Sequence, residues 1–257
     1  TIEKYIQENQ AKDIRAQMRK RVVGIVGAKA IEESTKERTQ EEIEADDNLH
    51  SEVNINFNGN TLRLTTSKDV VGFKKFLVKV FYNNDFKLLL AKHETVITAT
   101  SDVELDNFTI KSFDYSKIYV NAKVKVFTIV QNDKSKSELN LKSEMATIEL
   151  SKNAQLKALI ASNQLKVDLY QKSTAVVEGD VDELKLRVDN SSEFTGMNLI
   201  SKTAELIAEA DTTTKLNVVT SASIEASGKS EIQFYGDAKI ELKKFTENTV
   251  IMKKTLK

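Results

Sequence analysis

The sequence contains no cysteine, no proline and no tryptophan, and only 8 glycines in 257 residues. Without cysteine there are no disulfides, thiolate nucleophiles, zinc–thiolate sites or iron–sulfur clusters. Average usage would place about a dozen prolines in a chain this long. Their absence fits continuous strand ladders, whose interiors exclude a residue with no N–H. Net charge is missing too: 38 basic residues balance 38 acidic ones, which leaves no global electrostatic footprint for nucleic acid or for an anionic membrane. No run of about 18 apolar residues is present to cross a bilayer as a helix. Nucleic acid is therefore not an expected partner, and the chain is not expected to span a membrane itself. It begins at Thr1, as expected of a form trimmed of a targeting signal.

What the sequence does contain is a period. Phe108-Thr109-Ile110, Phe127-Thr128-Ile129, Ala146-Thr147-Ile148, Leu165-Lys166-Val167 and Leu184-Lys185-Leu186 each begin 19 residues after the last. Ala204-Glu205-Leu206 follows after 20 and Ala222-Ser223-Ile224 after 18, an insertion and a deletion that cancel, as in a loop that varies without losing register. A second pair of columns runs through Ile118, Ser137, Leu156, Ala175, Phe194, Thr214 and Ile232, and through Val120, Leu139, Ala158, Val177, Gly196, Leu216 and Phe234. Between the two strands of each coil lies a polar turn with a column of small residues: Ser116, Ser135, Ala154, Ser173, Ser192, Thr212, Ser230.

Apolar residues at alternate positions mark half-buried strands. A single coil cannot bury its apolar face alone, so such coils stack and share one elongated core. Stacked turns need small side chains, and serine hydroxyls can satisfy turn backbone groups locally. A β-sandwich has strands every 8–12 residues, and half of 19 falls in that window. The whole-coil column of small turn residues decides for an all-β, right-handed parallel β-helix with coils of about 19 residues. An earlier coil fits at a spacing of 21, with Leu89, Thr95, Ile97 and Ala99 matching Ile110, Ser116, Ile118 and Val120. Before it, Val53, Ile55 and Phe57 alternate up to Asn58-Gly59, followed by Leu62 and Leu64, which reads as a hairpin. Phe76, Val78 and Val80 form another alternating strand. These predict antiparallel strands at the N-terminal end of the solenoid. Residues 1–20 favour helix with a ragged apolar stripe, VVGIVGAKAIEES reads as a strand interrupted by glycines, and Arg19-Lys20-Arg21 reads as a solvated basic cluster.

Several motifs were tested for chemistry. Gly228-Lys229-Ser230 spells the end of a phosphate-binding loop, but G-x-x-x-x-G-K-[ST] needs a glycine where Ser223 stands. The two histidines, His50 and His93, cannot build a histidine-rich metal site, and no G-x-S-x-G elbow exists for a serine nucleophile. Asp46-Asp47, Asp180 with Asp182, and Asp211 are the acidic clusters; Asp180 and Asp182 share a strand face but lack calcium-loop spacing, so solvated surface is the expectation. Outward positions such as Thr109, Thr128, Thr147, Lys166, Lys185 and Glu205 read as a solvated sheet. Tyr119, Tyr170 and Tyr235 are expected to face outward, where they could stack on a sugar or a protein partner. No catalytic, cofactor-binding or metal-binding residue is assigned, and no cofactor is expected.

IEADDNLHSEV (43–53), NGNTLRL (58–64), the 19-residue coils and the closing IEASGKSEIQFYGDAKIELKKF (224–245) together resemble the putative auto-transporter adhesin, head GIN domain family. That family's Ser-Gly-x-Ser turn, aromatic strand and Gly-Asp/Asn-x-Lys segment correspond to Ser227-Gly228-Lys229-Ser230, Gln233-Phe234-Tyr235 and Gly236-Asp237-Ala238-Lys239. Most internal turns lack the family's glycine, and GIVGAKAIEES (24–34) is a diverged version of its first strands. On this basis residues 1–42 are a diverged N-terminal segment and 43–257 a head GIN-like β-helix domain. The resemblance implies export to the envelope or surface of a Gram-negative cell and a β-helical fold, and it carries no catalytic residues. A non-enzymatic, rigid interaction scaffold is expected, as a subunit or accessory of an outer-membrane complex or with other envelope proteins as partners. The alternatives are an adhesin-like module that binds carbohydrate or another surface, and a β-helical polysaccharide-active enzyme.

Overall fold

The computed structural model describes residues 22–26, 31–34, 40–45, 52–67 and 76–256, the first three as backbone strands alone. These contain strands and turns with no α-helix. In chain order they are β1 (Val22–Val26), β2 (Ile31–Ser34), β3 (Gln40–Ala45), β4 (Val53–Asn58), β5 (Thr61–Thr66), β6 (Phe76–Phe81), β7 (Leu88–Ala91), β8 (Val96–Ala99), β9 (Val103–Ser112), β10 (Lys117–Gln131), β11 (Lys136–Leu150), β12 (Gln155–Leu169), β13 (Thr174–Val188), β14 (Glu193–Ala208), β15 (Thr213–Ala226), β16 (Glu231–Tyr235), β17 (Lys239–Phe245) and β18 (Val250–Lys253).

From β7 onward, each strand pairs in parallel with the one a coil later. In β10 to β13 the register is 19 residues, so Phe127 lies beside Ala146 and Ala146 beside Leu165. The fold is a parallel β-solenoid of about nine coils. Along β10, Ile118, Val120, Ala122 and Val124 are buried and their neighbours exposed. Lys125 and Val126 then both face outward, and Phe127, Ile129 and Gln131 are buried. Two outward residues in succession break the period-2 alternation and turn the strand over the core. Each long strand thus supplies two legs, and their stacks form two sheets facing each other. Glu144-Met145 and Asn163-Gln164 make the same corner in the next coils. Tilted ring contacts run along the core from Tyr82 through Phe86 and Phe108 to Phe127, with centroids 4.7, 5.4 and 6.1 Å apart.

At the other end of each coil the chain closes in a tight turn with left-handed backbone. His93, Asp114, Asp133, Asn153, Lys172, Ser191, Asp211, Lys229 and Asn248 all have φ between 57 and 66° or close to it at matching places in the coils. Neighbouring turns bond backbone to backbone, as in Lys172 N–H to Asn190 C=O at 2.9 Å and Lys229 N–H to Glu247 C=O at 2.9 Å. The small-residue column lies just inside. Ser116, Ser135, Ala154 and Ser173 are fully buried, and Ser230 is 1% exposed. Their hydroxyls close the turn: Ser116 donates to Phe113 C=O at 2.7 Å, Ser135 to Asn132 C=O at 2.8 Å and Ser230 to Ser227 C=O at 2.7 Å. The P-loop-like letters are therefore one more solenoid turn, closed by Gly228 at φ 68°.

The insertion and deletion in the period are not in a turn, as a variable loop would have it. The irregularity lies inside β14, where the ladder shifts between Gly196 and Ile200. The turns are locked by bonds to their neighbours, whereas a leg absorbs an extra residue as a bulge. Buried Asn217 pins this one: its side-chain amide donates to Met197 C=O at 3.0 Å, and its own C=O accepts from the Ser201 hydroxyl at 2.8 Å.

At the N-terminal end both sheets continue with antiparallel strands. One runs β8–β1–β6–β3 and the other β7–β2–β5–β4. The expected hairpin is β4–β5, turning at Gly59 with φ 61°, and Leu62, Leu64, Phe76, Val78 and Val80 enter the core. VVGIV and IEES slot between these strands and the first coil as β1 and β2. The helical expectation for residues 1–20, the Arg19-Lys20-Arg21 cluster, Asp46-Asp47 and His50 lie outside the described residues.

Candidate functional site: the outer face of the first-leg sheet

The register of the coils determines which outward side chains become neighbours. On the first-leg sheet, Tyr119, Glu138, Lys157 and Val176 follow one another across the coils, and beside them Asn121, Asn140, Leu159 and Glu178. The sheet surface is concave here and forms an open groove of ≈ 570 Å³. At about 4.8 Å per coil, these four coils extend the lining roughly 14 Å along the solenoid. Tyr119 is 38% exposed and Leu159 52% exposed, so each shows the groove an apolar surface. Glu178 accepts from the Asn198 side-chain amide at 3.2 Å. Among the described residues, the side chains of Tyr119, Asn121, Glu138, Asn140 and Lys157 make no hydrogen bond or ion pair with another residue. The groove therefore combines one aromatic ring, one aliphatic side chain, two stacked amides and charges of both signs, with polar groups available to a ligand.

The second-leg sheet contrasts with it. Thr109, Thr128, Thr147, Lys166, Lys185 and Glu205 do face outward, but the charges there satisfy one another. Lys166 pairs with Asp168 at 2.8 Å, Arg187 with Glu209 at 2.7 Å and Asp189 at 3.5 Å, Lys185 with Glu205 at 3.8 Å, and Lys244 with Glu209 at 3.9 Å. Near the corners, Lys123 pairs with Asp102 and Lys125 with Asp106 at 2.6 and 2.9 Å. Hydrogen bonds to those carboxylates hold both ammonium groups above the ordinary lysine range.

The three tyrosines do not share a surface. Tyr119 lies in the groove. Tyr170 opens a turn at the far end of a second leg; partial burial, then Asp168, pushes its hydroxyl above the ordinary tyrosine range. Tyr235 does not face outward: it is only 7% exposed. It pairs with buried Asn217 across the ladder, and the bulge in β14 has shifted the in–out phase of that column by one. His93 forms a pair with Asp114 at 3.3 Å in an exposed turn. Asp182 pairs with Lys202 at 2.6 Å, and Asp211 is an exposed turn residue. Among the described residues no group of three or more His, Asp or Glu is placed to hold a metal. Sequence reasoning missed Asn121, Glu138, Asn140, Lys157 and Leu159. The recoverable signal was an asparagine repeated after 19 residues at an outward position.

Among the described residues no helix is long and apolar enough to cross a membrane. No curated protein matches the chain. A solved structure, of a putative adhesin from Parabacteroides distasonis ATCC 8503, superimposes with a TM-score of 0.60, covering 86% of this chain and 84% of the other at 14% identity, a likeness of fold. The family model for the putative auto-transporter adhesin, head GIN domain matches residues 30–238, well over half of the sequence. The chain belongs to that family.

Proposed function

We propose that this protein is a non-enzymatic, exported surface protein of the adhesin type, a rigid scaffold that contacts its ligand through the first-leg groove. The observation that carries this is the set of unpaired groove side chains around Tyr119 on an otherwise self-neutralised solenoid. A ring flanked by amides and carboxylates suits a carbohydrate, whose hydroxyls bond to the polar groups while its apolar face stacks on the ring. Family membership supports the adhesin-type role, and the adhesin neighbour supports the fold on which it rests.

A second reading, a subunit or accessory of an outer-membrane assembly, would use the same flank with a protein as ligand. Two arms separate them. Saturable binding on a glycan array, lost in Tyr119→Ala and Asn140→Ala, supports the carbohydrate reading. Recovery of a defined membrane complex by native pull-down, lost in the same variants, supports the assembly reading. Turnover of any polysaccharide would overturn the non-enzymatic proposal, and binding unchanged in both variants would overturn the groove.

A further inference from the structure

We infer that the C-terminal end of the solenoid is a stacking surface for the N-terminal edge of a second copy of this chain, head to tail. The last coil continues the core columns without covering them. Ile240 lies beside Ala222, Leu242 beside Ile224, Phe245 beside Ala226 and Ile251 beside Ile232. All four neighbours are buried. Yet Leu242 is 49% and Phe245 38% exposed, because no further coil lies beneath them among the described residues. The floor of the core and the outer edges of β17 and β18 thus form one surface of apolar side chains and unpaired strand edges, the features by which a solenoid adds a coil.

Charge selects the occupant. Residues 239–256 carry Lys239, Lys243, Lys244, Lys253 and Lys254 against Glu241 and Glu247. Lys253 occupies the core column beneath Phe234, its ammonium 5.7 Å from the ring centroid and 3.0 Å from Asp237. At the opposite end, the outermost described strand of the first-leg sheet is β3, whose sequence QEEIEA has three glutamates and no base. Two C-terminal ends would bring lysines together, and two N-terminal ends glutamates; only head to tail are the signs opposite.

Strand direction agrees. The coil strands of each sheet are parallel, and three successive antiparallel steps lead to β3 in one sheet and β4 in the other. A copy displaced along the solenoid axis would therefore set β3 antiparallel to β18 and β4 antiparallel to β17, continuing both sheets at once. Such a contact is heterologous and does not close, so it propagates as a filament.

The test is sedimentation of the 257-residue protein over a concentration series, with electron microscopy of the same samples. Species growing in single-chain steps, and shrinking as salt shortens the Debye length from about 30 to about 3 Å, are expected. Lys243→Glu/Lys254→Glu should remain monomeric with an unchanged circular dichroism spectrum and melting temperature. Mixing it with Glu41→Lys/Glu42→Lys should restore growth. A monomer at every concentration overturns the inference. So does a closed dimer that survives the lysine reversal, which would be tail to tail. So does a monomer that instead binds phosphatidylglycerol vesicles through these lysines, which would assign the end to a lipid surface.

Discussion

Ser135→Ala and Ser135→Leu separate the two properties that a stacked turn demands, polarity and smallness. Ser135 is fully buried, between Ser116 and Ala154 of the adjoining coils, and those coils are clamped at Lys136 N–H to Ser116 C=O (2.9 Å) and Gln155 N–H to Ser135 C=O (3.0 Å). Alanine removes one hydroxyl that donates to Asn132 C=O. That carbonyl keeps its bond from Ser135 N–H at 3.4 Å, so the loss is about 1 kcal/mol. Ala154 already occupies the same column with no exposure, so the methyl fits. Leucine loses the same bond and adds three carbons where neighbouring turns leave no space, for a total of about 3 kcal/mol. At about 2–4 °C per kcal/mol for a domain of this size, thermal unfolding followed by circular dichroism should fall by roughly 2–4 °C for alanine and roughly 6–12 °C for leucine. If leucine is as mild as alanine the turns are not packed as described. If alanine is as damaging as leucine, polarity rather than size governs the column.

Gly236 and Gly59 both have positive φ, 81 and 61°, but a Cβ on Gly236 would lie 2.2 Å from Val218 C=O while one on Gly59 would meet nothing within 4 Å. Gly59→Ala should cost about 1 kcal/mol for its backbone conformation and Gly236→Ala distinctly more, measured as the difference in urea midpoint. Tyr235→Ala should lower stability by about 3 kcal/mol, as for other buried aromatics, whereas Tyr119→Ala should leave the melting temperature within about 1 °C and change binding alone. The Tyr170 hydroxyl should ionise above pH 10.0, seen as the component of the ultraviolet titration missing in Tyr170→Phe. Because its folded pKa is raised, its small contribution to stability is present at lower pH and is lost as pH rises through that value.

The coils were readable because stacking forces every coil to repeat the same solution: Phe108, Phe127, Ala146 and Leu165 occupy one column because each lies directly on the last. The Asn58-Gly59 hairpin was readable for a local reason, since its turn type demands those residues. The placement of β1 and β2 was not. Antiparallel partners 40 or more residues away leave no period in the text, and VVGIV alone cannot say which edge it joins. Tyr235 was misjudged because parity counting assumes an unbroken strand, and the β14 bulge shifts parity two coils before it. The groove depends on curvature of the sheet, which no single column encodes, so Tyr119 was singled out as an aromatic while Asn140 and Lys157 passed as solvated positions.

The most direct test of the functional account is to map a ligand captured in the array or pull-down by backbone amide chemical-shift perturbation on the 257-residue protein. The account predicts that the shifts cluster at Tyr119, Asn121, Glu138, Asn140, Lys157 and Leu159 and spare the Lys166, Lys185 and Arg187 face. Shifts concentrated on that second-leg face, or along the turns from Asp114 to Asp211, would contradict it.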